Sequence, residues 1–106
     1  MMHQDSSSLD NATTAILRER LNILSSKTFT ELTDLPSQSS EEIVLQGTKL
    51  TISVWHDVLG SQDHRIVVQV YRPGMFGIGY MHADGFIVNS RNERRKLTVE
   101  EWAPFS

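Results

Sequence analysis

Apolar residues near the N-terminus recur at helical spacing. Ile16, Leu17, Leu21 and Leu24 stack into one stripe on a helix and leave Arg18, Glu19 and Asn22 outside it. Asp10 or Asn11 is placed to cap this helix, because a short polar side chain there accepts from an otherwise unpaired backbone N–H. Ser25-Ser26-Lys27 interrupts the pattern. Thr28 and Glu31 then form a capping box that opens a second, short helix with Phe29 and Leu32 on its inner side. Pro36 stops that helix by disfavouring the helical conformation at Leu35, and residues 37–40 follow as a linker. Residues 1–10 are polar and serine-rich and lack the apolar groups that offset the entropy of ordering, so they are expected to be disordered. Residues 11–106 are expected to form a single domain.

From residue 42 onward the period shortens to two, and Val, Ile, Thr, Tyr and Trp take over, residues that suit a pleated surface. A short strand is expected over 42–46, a bend or bulge at Gly47, and a long strand over 48–58 with Leu50, Ile52, Val54 and Val58 at even positions. The next strand, 64–73, is again apolar at the even positions Ile66, Val68 and Val70. Equal parity in a hairpin requires paired residue numbers with an even sum. A sum of 122 fits best, setting Val54 opposite Val68 and Ile52 opposite Val70 around the loop Gly60 to Gln62. Pro73-Gly74 ends the strand, residues 77–83 resume, and Asp84-Gly85 reads as a two-residue hairpin turn into 86–90. Asn92-Glu93 turns the chain into residues 94–97. Thr98 with Glu101 forms a second capping box, and Leu97 and Trp102 stand where a hydrophobic staple requires them. The expected architecture is α+β: an N-terminal helix pair on one face of an antiparallel meander sheet of four to six strands, closed by a short C-terminal helical turn.

Composition narrows the functional classes. The 106 residues are 39% hydrophobic and 22% charged, which fits one ordinary domain able to form a core without staples. The chain has no cysteine, which excludes disulfide scaffolds, thiolate zinc sites, iron-sulfur clusters and cysteine nucleophiles. This is compatible with a reducing cytoplasm, where the protein is expected. Apolar runs such as Ile66-Val67-Val68 and Phe86-Ile87-Val88 are too short to span a bilayer, and residues 1–11 lack the apolar segment of a secretory signal. No membrane partner is expected. The net charge of -3 falls on residues 1–50, with four basic and seven acidic side chains, while residues 51–106 balance at six and six. Only Arg91, Arg94, Arg95 and Lys96 approach the basic cluster that nucleic acid requires, and Glu93, Glu100 and Glu101 stand among them. Nucleic acid is therefore not an expected partner, and no cofactor is expected.

No linear catalytic motif appears. None of the serines lies in a Gly-x-Ser-x-Gly elbow, and the glycine-rich stretch from Pro73 to Gly79 lies between strands instead of opening a phosphate-binding helix. Met75 and Phe76 form the tip of that stretch and are candidate contact residues. The histidines offer the other chemistry. His56 and His64 are diagonal neighbours in the proposed hairpin, roughly 7 to 8 Å apart at the backbone, with Asp57 and Asp63 beside them and His82 near Asp84. His56, His64 and His82 are thus candidate metal ligands, although a catalytic zinc site wants three converging ligands and no linear motif supplies them.

The odd face of the same hairpin sets Trp55 beside Val67, Ser53 opposite Gln69 and Thr51 beside Tyr71. Such a mixed aromatic and polar surface either binds a partner or lies under the C-terminal turn with Trp102 and Phe105 as a second small core. The first alternative makes the chain a small non-catalytic interaction domain of accessory, adaptor or inhibitor type. It would act through a sheet face or edge on another protein or as a homodimer, with Trp55, Val67, Tyr71, Met75 and Phe76 as contact residues. An alternative is a small-ligand or metal-dependent enzyme with a histidine-lined pocket between helix and sheet. A third is weak single-stranded RNA binding on the aromatic face.

Overall fold

The alternation over residues 48–73 produces two long neighbouring strands. The computed structural model of the chain describes residues 4–74 and 77–105, with side chains from Leu9 onward. In chain order the elements are α1 (Gln4–Ser25), α2 (Phe29–Thr33), β1 (Gln38–Leu45), β2 (Thr48–Val58), β3 (His64–Pro73), β4 (Gly79–Val88), β5 (Arg94–Arg95) and α3 (Val99–Trp102), which ends in a 3-10 turn over Ala103–Phe105. The five strands form one antiparallel meander in sequential order, so the fold is α+β. Among the described residues no helix is long and apolar enough to cross a membrane.

The β2–β3 pairing has the register read from parity, with Ile52 opposite Val70, Val54 opposite Val68 and Trp55 opposite Val67. Leu59 N–H donates to Asp63 O at 2.8 Å, which leaves Gly60 to Gln62 as a three-residue loop, and Gln62 takes the left-handed conformation such loops need (φ 72°). The same geometry recurs after β4, where Asn89 N–H donates to Glu93 O and Asn92 has φ 66°. Between β1 and β2, Gln46 (φ 51°) and Gly47 (φ 77°) form a two-residue turn with both φ angles positive, so Gly47 belongs to a tight hairpin.

Three expectations are corrected. First, β1 begins at Gln38, and Gln38, Ser39 and Ser40 pair with Trp55, Val54 and Ser53 instead of forming a linker. An edge strand exposed along its outer side can be polar throughout, so no apolar alternation marks it. Second, Asp84 and Gly85 lie inside the continuous strand β4, opposite Val68 and Val67. A Cβ at residue 85 would press on the Ile66 carbonyl oxygen and stand 3.1 Å from Val67 Cα, so this glycine permits a close approach of two backbones and makes no turn. Third, the long helix α1 begins at Gln4, well before its expected cap, while α2 is the short second helix its capping box predicts. Helix α1 runs through Asp10 and Asn11, where its cap was expected, and through residues 4–10, expected to be disordered. Thr13 Oγ1 donates to Leu9 O at 2.7 Å, and Arg72 on β3 forms an ion pair with Asp10 that holds this part of the helix to the sheet. Residues 1–3 lie outside the described residues.

Parity separates two cores. Leu17, Leu24 and Leu32 from the helices meet Leu50, Ile52, Ile66, Val68, Val70, Phe86 and Val88 from the even face of the sheet. Each fully buried Val, Leu or Ile here contributes about 1.5–3 kcal/mol. Val58, at the end of its strand, remains exposed. On the odd face Val67, Ile87 and Leu97 form a smaller core with Trp55, Leu59, Trp102 and Phe105. Both capping boxes are present, and Leu97 and Trp102 share that smaller core, as the staple requires.

Candidate functional site

The C-terminal segment covers one half of the odd face and leaves the other half open. Val67 is fully buried beneath it and is therefore core, not a contact residue, whereas Tyr71, four pairs further along, is 38% exposed. At the boundary between the covered and open halves lies a cleft of about 560 Å³. Its walls include Trp55, His56 and Asp57 of β2, Arg65 and Gln69 of β3, Gln38 of β1 and Phe105 of the closing turn. This volume falls within the range of ligand pockets, roughly 300–1,000 Å³.

The polar groups of the cleft are held in place. Arg65 donates through Nε to Asp57 Oδ1 at 2.8 Å, its second terminal nitrogen pairs with Asp57 Oδ2, and Nη1 donates to Glu101 O at 2.7 Å. The hydrogen bond to Asp57 raises the Arg65 pKa above its ordinary value, so the charge is fixed. Phe105 stacks beneath this guanidinium at 5.1 Å and meets Trp55 edge-on, with centroids 6.3 Å apart. Trp55 Nε1 donates to Gln69 Oε1 at 2.6 Å, which fixes the indole plane. Arg95 grips Glu101 through two hydrogen bonds of 2.7 and 2.8 Å. With the Thr98 cap, that grip lowers the Glu101 pKa to about 2 and clamps the segment that carries Phe105. A carboxylate engaged on both oxygens by a guanidinium is a poor general base. The cleft thus sets two aromatic walls, Trp55 and Phe105, beside polar groups that are held in place, with Gln69 and Gln38 on its lining.

Of the residues singled out from sequence, the cleft gathers Trp55 alone of the contact set. Met75 and Phe76 lie outside the described residues. His56 and His64 meet on the opposite, helix-covered face. His56 Nδ1 lies 2.9 Å from Leu35 O and must donate to it, so in the neutral pair His56 Nε2 accepts from His64 Nδ1–H at 2.7 Å. The rings stack with centroids 5.0 Å apart, and Phe29 abuts His64 edge-on. Burial and then the neighbouring His56 lower the His64 pKa, against an opposing effect of Asp63. His82 stands opposite Val70, six positions along β3 from His64 and therefore roughly 20 Å away at about 3.4 Å per residue. Among the described residues no group of three or more His, Asp or Glu side chains converges to hold a metal ion. The pair works as a packing element that ties the α2–β1 connection to the sheet.

Two members of the basic cluster are engaged too. Arg94 donates to Lys27 O just past the end of α1 and to Asn92, and Arg95 is bound to Glu101. The residues missed from sequence are Asp57 and Arg65 as a pair and Gln69 as the indole acceptor. The pairing sum of 122 already sets Asp57 opposite Arg65 and Gln69 diagonal to Trp55, so the signal was present in the register. No protein-family model, curated protein or solved structure matches the chain.

Proposed function

We propose that the chain is a non-catalytic protein-interaction domain, of accessory, adaptor or inhibitor type, that takes an apolar side chain of a partner protein into the cleft at Trp55. The observation that carries this reading is the cleft itself: about 560 Å³ beside Trp55 and Phe105, its carboxylate and guanidinium tied to each other. Neutralised charges and fixed aromatic walls favour burial of an uncharged group over acid-base chemistry. The open half of the face continues the surface with hydroxyl and amide groups, including Ser40 and Ser53, whose oxygens lie 2.9 Å apart. That arrangement supports an extended partner segment, its anchor residue in the cleft and its flanks along a polar rim.

The test is selection from a random peptide library displayed on phage. Enriched peptides should share an aromatic, proline or large aliphatic residue. Trp55→Ala should weaken their binding by about 30-fold, the size expected for loss of a central anchor worth about 2 kcal/mol. Gln38→Trp, a substitution at an exposed position that narrows the cleft without touching the core, should weaken it too. Peptides that bind both variants as well as the wild type would refute the assignment.

A further inference from the structure

We infer that β4 is a dimerisation edge, pairing antiparallel with β4 of a second copy about a two-fold axis through Ala83. Strand β5 pairs with β4 only at Ile87 and Val88, so among the described residues no strand covers the outer edge of residues 79–86. Because Asn89 N–H points to β5, alternation turns the N–H and C=O groups of Met81, Ala83 and Gly85 outward as well. The Gly85 N–H donates to Asp84 Oδ1 at 2.8 Å, a local bond that strand pairing would exchange, and the groups of Met81 and Ala83 are turned towards another strand. Natural edges are normally blunted by charge, proline or a covering element, and residues 79–83 of β4 have none of these. Tyr80 and Met81 are about half exposed along this edge, with Ile78 beside them.

Self-pairing about a two-fold axis perpendicular to the sheet keeps each face on its own side, so paired residue numbers have an even sum. A sum of 166 matches chemistry at every position. It sets Tyr80 opposite Phe86 of the second copy, His82 opposite Asp84, Met81 opposite Gly85, which has no side chain, and Ala83 opposite itself. A sum of 164 would instead set His82 opposite itself and Tyr80 opposite Asp84. The window of 80–86 ends where β5 begins, so β5 needs no displacement. The other free edge behaves differently. In β1, Glu41 and Glu42 occupy the middle of the strand, so self-pairing there would bring carboxylates together. Charge complementarity therefore selects β4 and a second copy of this chain. The dimer has one continuous sheet of eight long strands, and both Trp55 clefts remain open because they lie on the β1 side of the sheet.

The experiment is sedimentation equilibrium of the full chain and its variants, with circular dichroism as the check on folding. Wild type should sediment at twice the monomer mass. Ala83→Lys, at an exposed position, places two ammonium groups at the axis and should give a folded monomer. His82→Asp sets carboxylates opposite each other and should weaken association at least tenfold. Adding Asp84→Lys to that variant restores opposite charges and should recover the dimer, an outcome that depends on this register and keeps the test decisive if Ala83→Lys misfolds. A wild-type monomer at every concentration, a dimer indifferent to Ala83→Lys, or a double variant no better than His82→Asp would each overturn the inference.

Discussion

Replacing Gly85 by alanine tests the position of β4 in the sheet. Gly85 is buried opposite Val67, and an added methyl group would collide with the carbonyl oxygen of Ile66 while standing 3.1 Å from both Cα and Cγ2 of Val67. The obstruction is backbone, and the side chains of Ile66 and Val67 are both fully buried, on opposite faces, so β3 has no free direction in which to yield. Overpacking of this kind costs about 1–3 kcal/mol, and a backbone obstacle puts Gly85→Ala at the upper end, near 3 kcal/mol. At about 4–8 °C per kcal/mol, the melting temperature should fall by about 12–24 °C. Gly47→Ala is the control. That residue has φ 77° with open space around its Cβ position, so only left-handed strain of about 1 kcal/mol is expected. Thermal melts followed by circular dichroism would compare the two. If Gly85→Ala melts no lower than Gly47→Ala, Asp84-Gly85 is a turn after all and the continuous strand is wrong.

Two further predictions concern pH. Because the folded His64 titrates below its ordinary value of 6.5, the unfolded chain takes up a proton that the folded one resists. Stability should therefore be complete above pH 6.5 and decline as pH falls below it, and urea midpoints for His64→Gln should show a flatter decline; an unchanged slope would refute the role of the pair. Glu101 works by the same linkage in a lower window. Its carboxylate stabilises the fold above its ordinary pKa of 4.5, and that contribution is lost as pH falls towards about 2. Acid titration of tryptophan emission should show exposure of Trp55 and Trp102 in that interval, and Glu101→Gln, which mimics the protonated acid at every pH, should show that exposure already at neutral pH and lose the change. Identical titrations would mean that the Arg95–Glu101 grip does not hold the C-terminal segment.

Where burial imposed a period, the sequence was readable. Strands β2 and β3 alternate cleanly because one face of each meets α1 and α2, and that alternation was enough to set their register and thereby the Trp55 neighbourhood. The capping boxes were readable because they are local chemistry. Three features were hidden for identifiable reasons. Gln38 to Ser40 join the sheet at an exposed edge, where nothing forces apolar residues. Asp84-Gly85 has the composition of a turn, but its glycine serves a contact with β3 that no local pattern reports. The first part of α1 is joined to the sheet by an ion pair between Arg72 and Asp10, partners 62 residues apart, which no local pattern reports. In the site, Trp55 was visible as an aromatic on a polar face. Phe105 joined it only through the fold-back of the C-terminal turn, a tertiary event that left both readings of that face open.

We propose that the cleft at Trp55 receives a partner. Amide-resolved NMR of the labelled chain, titrated with the strongest peptide from the phage selection, tests it most directly. The Trp55 indole N–H and the amides of Gln38, Gln69 and Phe105 should shift together and saturate with one affinity, while those of α1 stay in place. Shifts confined to the helix-covered face around His56 and His64, with the Trp55 indole unmoved, would contradict it.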